Sequence, residues 1–476
     1  MFPMEELTFQ RIRDGLESGE ITSHQLVMNY MERVARIDKS GPCLNSVIER
    51  NPDALYIAEA MDRERKKGKI RSSLHGIPVF IKDNINTADS MHTSAGSLAL
   101  ADNFAPYDAA IAEKLRAAGV IIMGKTNMTE LANFMSYTMK NGYSSRGGQV
   151  INPYNPEGDV WGSSSGSAVA VSANLCAAAI GTETDGSIIW PSHLNSIVGI
   201  KPTRGLVSRY GIIPICTARD IAGPMARTVA DAAEFLNILV GEDERDPSTW
   251  CRADEIPEDY TSFLDKNGLS GLKLGINRGY FEEFTDSQKV IAEKAISVLD
   301  SQGAVLTDGI HMPHLRCDSS VLLYEFQLCL NAYLATCTTT KCHTLKGMID
   351  FYGDHPKEGL KYGMTILQDA QYNTSGTCTD AKYLLDRLGA LRISQKDGLD
   401  KILDENNLDI LVSPGITDSS PISGYPSIIV PAGYDDENMP FGITFIGRPF
   451  TEPLLIKAAY AFEQAMQARK APVWDL

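Results

Sequence analysis

Serines set among glycines are the residues here whose spacing suggests chemistry. The run Trp161-Gly-Ser-Ser-Ser-Gly-Ser167 is followed by Gly181-Thr-Glu-Thr-Asp-Gly-Ser187. The first run contains a literal G-x-S-x-G, Gly162 to Gly166, which would make Ser164 the nucleophile of an α/β-hydrolase elbow. That elbow needs a buried strand immediately before it. Asn152-Pro-Tyr-Asn-Pro-Glu-Gly-Asp159 stands there instead, and two prolines exclude a central strand. A serine is a weak nucleophile until a base takes its proton. The eight histidines, at 24, 75, 92, 193, 311, 314, 343 and 355, form no constellation around either run. A lysine can take their place where a dry site lowers its pKa. Lys82 closes the apolar run Pro78-Val-Phe-Ile-Lys82 and is the candidate. Metal chemistry finds little support. Cys337, Cys342 and His343 lie close together, but their spacing matches no common zinc pattern and no second half-site follows. No metal and no cofactor is expected.

Alternating elements must position these groups. Leu26, Val27, Tyr30, Met31, Val34 and Ile37 recur at helical spacing, with Ser23 as N-cap. Asn51-Pro52 reads as N-cap and first position of a second helix, so the first 70 or so residues are mainly helical. Buried strands follow at 78–82 and 120–123, with a helix over 109–118 between them, the pattern of an open sheet with helices on its faces. Residues 137–166 are a long glycine-rich loop, and such loops are usually functional or mobile. Gly166–Ile180 is nearly all small or apolar and reads as one helix buried on all sides. An acidic connection spans 240–270. A strand at 272–276 and a helix at 287–299 resume the α/β pattern. Residues 317–380, with five of the cysteines, read as a helical cap inserted into the main domain, extending to about 400. Strands return at 410–412, 427–430 and 443–446, and a helix at 452–468 closes the chain. The simplest organisation is a single domain over 1–476.

Composition narrows the function classes. With 44 basic and 60 acidic residues the net charge is −16, which argues against nucleic-acid and membrane-surface binding. No run of 18 apolar residues offers a membrane span, and the start lacks the basic and apolar regions of a secretory signal. Nine scattered cysteines suggest a reducing compartment rather than a disulfide frame, so a cytoplasmic location is expected.

Several long segments, in order along nearly the whole chain, resemble the amidase signature family. They are Gly76-Ile-Pro-Val-Phe-Ile-Lys-Asp-Asn84, the serine run 162–167, Gly181–Ile188, Val198-Gly-Ile-Lys-Pro-Thr203 with Ser208-Arg-Tyr-Gly-Ile212, Ala222-Gly-Pro-Met-Ala-Arg-Thr-Val-Ala-Asp231 and Gly424-Tyr-Pro-Ser-Ile-Ile-Val-Pro-Ala-Gly433. Long motifs in register are far more specific than one short pattern. The resemblance is weakest over 240–400. It implies an α/β fold with a large mixed, mostly parallel sheet covered by helices on both faces. It also implies a Ser-Ser-Lys triad. Lys82 matches the base, Ser163 a relay serine after a cis peptide bond at Gly162, and Ser187 the nucleophile. Backbone N–H groups of Thr184, Asp185, Gly186 and Ser187 would form the oxyanion hole. Asn127, Met128, Phe134 and Met135 would line the acyl pocket. In the implied reaction neutral Lys82 draws a proton from Ser187 through Ser163, Ser187 attacks an amide carbonyl, and water releases the acid from an acyl-enzyme.

Two departures refine the expectation. Where most members carry Gly-Gly-Ser-Ile-Arg, this chain has Asp185-Gly-Ser-Ile-Ile189, so Glu183 cannot pair with an arginine at 189. The run Thr182-Glu-Thr-Asp-Gly-Ser-Ile188 is similar to the peptide-amidase branch, which releases ammonia from C-terminal peptide amides. The first expectation is therefore an amidase acting on peptide or other primary amides. The alternatives are an ammonia-producing subunit like the A subunit of glutamyl-tRNA amidotransferase, and a catalytically silent binding protein on the same fold. A small-molecule or peptide amide is the expected partner, with homodimer formation left open.

Overall fold

The computed structural model describes residues 2–250, 256–312, 315 and 320–474. Cys317, His314 and part of the acidic connection lie outside the described residues. Eleven strands form one twisted mixed sheet. In chain order they are β1 (Val47–Arg50), β2 (Pro78–Lys82), β3 (Ile121–Thr126), β6 (Ala179–Glu183), β7 (Val198–Lys201), β8 (Ile221–Ala226), β9 (Lys273–Asn277), β10 (Val305–Ile310), β11 (Ile410–Pro414), β12 (Ser427–Tyr434) and β13 (Pro440–Ile446). The short strands β4 (Tyr143–Ser144) and β5 (Gly148–Gln149) make a separate hairpin. The order across the large sheet is β1-β3-β2-β6-β8-β7-β12-β13-β11-β9-β10. Parallel pairing occupies two blocks, β3-β2-β6 and β11-β9-β10, and the strands between them join antiparallel.

The first parallel block positions the chemistry. Every residue of β2 is buried, as its unbroken apolar run requires of a central strand. Phe80 pairs with Ala179 and Ile81 with Ile180, so Lys82 emerges beside Gly181 and Thr182 at the carboxyl ends of both strands. Open α/β sheets bind ligands at that edge.

The expected helix over Gly166–Ile180 is shorter. It spans Ser165–Ser172 and stops where Asn174 adopts a left-handed φ of 58°. The apolar residues after it continue into β6, because an all-buried run fits a central strand as well as a buried helix. All eight helical residues are buried. Their small size is a steric demand: a Cβ on Gly166 would collide with the carbonyl oxygens of Asn127 and Ser46. The N-terminal helices shift slightly from expectation. Thr22, not Ser23, caps the helix Ser23–Arg33 through a capping box with Gln25. The next helix is Ala54–Lys66, and Asn51 instead accepts the Asp53 N–H at 2.9 Å.

Helices Ser320–Leu334, Leu345–Asp354, Thr365–Tyr372 and Ala381–Ser394 make the expected helical region. The first three build an apolar core of their own, joined at its edge by Tyr383 of the fourth, and it rests on Ala95, Met128, Leu131, Phe134, Met135, Ile213 and Ile215 of the sheet domain. A buried carboxylate links the two layers. Glu130 accepts the Tyr352 hydroxyl of the helical region and the N–H and hydroxyl of Ser145, at 2.7 and 2.8 Å, while Tyr352 also meets Ser97 at 2.6 Å. Among the described residues no helix is long and apolar enough to cross a membrane.

The helix Ser165–Ser172 has no room to grow. Gly166→Ala is expected to destabilise the fold by about 1–3 kcal/mol through overpacking against main chain that cannot retreat. Urea unfolding monitored by far-UV circular dichroism measures the change, and wild-type stability in the variant would show that the close approach is soft.

Candidate active site

Lys82 is wholly buried and its amine sits among oxygens. Nζ lies 2.8 Å from Ser163 Oγ, 2.9 Å from Ser164 Oγ, 2.9 Å from Thr182 Oγ1 and 3.2 Å from the Thr182 carbonyl oxygen. Burial holds its pKa well below the usual lysine range, and the nearby charges of Glu183 and Asp220 offset this only in part. A lysine without a carboxylate in contact, in a dry site, is an amine ready to take a proton.

The Gly162–Ser163 peptide bond is cis, as the resemblance implies. Ser163 and Ser164 are both fully buried. They differ in what else they touch. Ser164 Oγ donates to the Thr182 carbonyl at 3.0 Å and accepts the Thr182 N–H at 3.2 Å, so it is tied to β6. Ser163 Oγ has only Lys82 as a protein partner among the described residues. Ser187 is 6 % exposed. Its carbonyl accepts the Ser164 N–H at 3.3 Å, which pins the two serine segments together. Among the described residues no hydrogen bond runs from Ser163 to the Ser187 hydroxyl. The geometry thus joins Lys82 to Ser163 directly and brings Ser187 alongside.

The loop before Ser187 is shaped by its glycine and a tryptophan. Gly186 has φ 83°, and a Cβ there would run into the indole of Trp190. Trp190 packs on Trp161 at a tilt of 34° with ring centroids 5.2 Å apart, so the two tryptophans brace the serine loop and the loop before Ser187 against each other. Among the described residues, the N–H groups of Thr184, Asp185 and Ser187 take no protein acceptor. Thr184 is fixed by its hydroxyl, which donates to Asp220 at 2.6 Å. The Asp185 carboxylate, 42 % exposed, faces the buried Arg219 at 3.6 Å.

Glu183 finds a partner other than arginine. Its Oε2 accepts the N–H groups of Ile188 and Ile189 at 2.8 and 3.1 Å, fastening the chain just after Ser187. Burial raises its pKa, and the charge of buried Lys201 acts in the opposite direction.

The four expected pocket residues are all buried in the protein's own packing. Asn127 spends its side chain on the Met128 N–H, the Ser144 hydroxyl and the carbonyls of Asn45 and Gly148. Met128 and Met135 are fully buried, and Phe134 packs edge-on against Phe326. The reason is backbone geometry. Leu131, Ala132 and Asn133 all have left-handed φ, 49°, 57° and 70°. This tight turn sends Phe134 and Met135 into the core beneath the helical region and leaves Ala132 half-buried and Asn133 exposed. Ala132 lines small cavities together with Asn84, Thr182, Thr184, Ile213 and Ile215. Thr182 and Asn84 lie beside Lys82 and were given no role by the motif reading, and Ser164, weighed there only as an elbow nucleophile, contacts Lys82 as well. The pairing of β2 with β6 carries them to Lys82, and strand register was the signal that could have found them.

Known amidases are similar to this chain over nearly its whole length. The family model Amidase matches residues 25–422. A probable amidase of Arabidopsis thaliana is 39 % identical over 99 % of this chain and 92 % of its own length. The crystal structure of native peptide amidase from Stenotrophomonas maltophilia is 41 % identical, with full coverage of both chains and a TM-score of 0.95. The A subunit of the glutamyl-tRNA(Gln) amidotransferase of Carboxydothermus hydrogenoformans is 32 % identical over 98 % of each chain. With a buried lysine and its serines assembled at the carboxyl edge of a mixed sheet, the chain belongs to the amidase signature family and is an amidase, an enzyme that hydrolyses amide C–N bonds.

Proposed function

We propose that this amidase releases ammonia from primary carboxylic amides, with C-terminal peptide amides as the foremost class, through an acyl-enzyme on Ser187. The observation that carries the reading is the 2.8 Å contact between Lys82 Nζ and Ser163 Oγ inside a fully buried site. Neutral Lys82 takes the Ser163 proton while Ser163 takes that of Ser187. Ser187 Oγ bonds to the amide carbonyl carbon, and negative charge develops on the carbonyl oxygen. The N–H groups of Thr184, Asp185 and Ser187 are the proposed oxyanion donors, rigid groups that need no reorganisation, whereas the expected Gly186 N–H faces the Glu183 carboxylate. The relay returns its proton to the leaving nitrogen, the C–N bond breaks, and ammonia departs. Water then attacks the ester by the same route and regenerates Ser187.

Likeness to a peptide amidase over both full chains supports peptide amides over an amidotransferase role, as does the resemblance of Thr182–Ile188 to the peptide-amidase branch. All seven described cysteines are free, which fits a reducing, cytoplasmic setting.

Ammonia release from a panel of small amides and C-terminally amidated peptides tests the reading. Ser187→Ala is expected to lose about 10³-fold or more in kcat, and Lys82→Met about 10²–10⁴-fold. Equal release by Ser187→Ala and wild type would remove Ser187 as nucleophile. No release from any amide by the wild type would remove the amidase reading itself. The base must be neutral, and burial lowers its folded pKa. Wild-type kcat/KM should therefore rise with pH through that lowered pKa and level off well below pH 10.5. A rise centred on the ordinary lysine range would show that Lys82 is not the base.

Glu183 is a positioning residue. Glu183→Ala should lower kcat tenfold to a hundredfold with little change in KM, following about 1–3 kcal/mol per buried hydrogen bond left unmade. Glu183→Gln keeps an acceptor oxygen and should fall between. An effect on KM alone would mean that Glu183 acts on binding instead.

A further inference from the structure

Strand β6 ends at Glu183, which pairs with Ile221 of β8. The chain then enters the loop of the proposed oxyanion donors. A main-chain ladder cannot continue over that loop, because each ladder bond would use an N–H that the reaction needs. The loop must still be rigid, since a donor that has to reorganise during the reaction loses its advantage. Side chains resolve the conflict. Continuing the register by one residue sets Thr184 opposite Asp220, and Thr184 Oγ1 donates to Asp220 Oδ1 at 2.6 Å. One residue further, Arg219 faces Asp185, with their charged groups 3.6 Å apart. The N–H groups of Thr184 and Asp185 stay without a protein acceptor among the described residues.

Asp220 is itself firmly held. Its Oδ2 accepts the N–H groups of Ile215 and Cys216, both at 2.9 Å, and its own N–H donates to the Cys216 carbonyl at 2.9 Å. The turn closed in this way is fastened at two further points. The Ile213 N–H donates at 2.8 Å to the carbonyl of Asn84, two residues beyond Lys82. The Thr217 hydroxyl and the Ala218 N–H donate to buried Glu325 of the helical region at 2.7 and 3.0 Å. Asp220 thus spends one carboxylate oxygen on the turn and the other on Thr184, and hydrogen bonds to an ionised acceptor are the strong ones. Segment 213–220 runs from the strand end that carries the base to the loop that carries the nucleophile.

We propose that Asp220 is a positioning residue for the reaction: it takes the place of the missing ladder bond at the end of β6 and fixes Thr184, so that the N–H groups of Thr184 and Asp185 stay rigid and free for the substrate's carbonyl oxygen. This rests on the amidase reading above and on its oxyanion donors. The tie acts where negative charge develops, so it lowers the barrier more than it strengthens substrate binding.

The test removes one hydroxyl. Wild type, Thr184→Val and Thr184→Ser are compared in kcat and KM on the amide of the panel above that wild type hydrolyses fastest. Inhibition by the aldehyde with the same acyl group is measured beside it, because an aldehyde adds to a serine hydroxyl as a tetrahedral hemiacetal. Thr184→Val is expected to lower kcat by about tenfold to a hundredfold, with KM changed by less than about threefold, and to weaken the aldehyde by a factor similar to the loss in kcat. Thr184→Ser keeps the hydroxyl and should stay within about threefold of wild type in all three quantities. Asp220→Ala should lower kcat at least as far, and adding Thr184→Val to it should cost little more, because the two ends of one bond are not additive. Thermal unfolding of each variant separates a fall in kcat from loss of fold. If Asp220→Ala does not fold, the contrast between Thr184→Val and Thr184→Ser decides alone. Wild-type kcat in Thr184→Val overturns the proposal. So does a rise in KM with kcat kept, an aldehyde bound as tightly as by wild type, an equal fall in the Val and Ser variants, or full multiplication of the losses in the double variant. In each of these cases Ser187-dependent ammonia release leaves the amidase reading standing. If wild type releases ammonia from no amide at all, that reading falls and the proposal falls with it.

Discussion

An amine buried in a protein interior is costly while it is protonated, and the arrangement around Lys82 works with that cost. Transfer from water penalises the charged form far more than the neutral one. Charged Lys82 would need a carboxylate in contact. The nearest acids act at a distance, and hydroxyl and carbonyl oxygens fill its first neighbours. A neutral amine needs only such partners, two acceptors and one donor. The same dryness that lowers the pKa strengthens each hydrogen bond the amine makes. Strand β2 must therefore be central and apolar up to its last residue, the helix Ser165–Ser172 must be small enough to seal the site, and Thr182 must arrive by strand register.

The helical region serves a different purpose. Its apolar core rests on the segment from Met128 to Met135, and hydrogen bonds such as Tyr333 to Asn86 and Thr217 to Glu325 fasten it to the sheet domain. The Tyr352–Glu130–Ser145 cluster lies directly before the left-handed turn that borders the cavities. Burial pushes the Glu130 pKa up to about 7, against the pull of those hydrogen bonds. Layer and turn are thus coupled, and the wall of the site depends on a contact between elements distant in sequence.

Much of this was legible in the sequence. The unbroken apolar run ending in Lys82 marks a central strand that delivers a polar group to its edge, and that feature alone made Lys82 a candidate. The roles assigned to Ser163 and Ser187 came from resemblance, since a serine-rich loop has no periodicity to read. What escaped has physical causes. Left-handed backbone is signalled by glycine, and Leu131-Ala132-Asn133 has none, so the turn that redirects Phe134 and Met135 left no trace. Strand β8 has Pro224 at a central position, where a missing donor argues against a strand. The end of the helix at Ser172 was hidden because the small apolar residues on either side of Asn174 are compatible with both buried forms.

The helix Ser165–Ser172 is enclosed by main chain, with Gly166 set against the carbonyls of Asn127 and Ser46. The helical region meets the sheet domain through side chains, which can be exchanged one at a time. Inheritance therefore acts unequally on the two halves of the site. Substitutions in the helical layer and the turn beneath it can accumulate singly, while the helix behind Lys82 sits in a frame with no room for added bulk at Gly166.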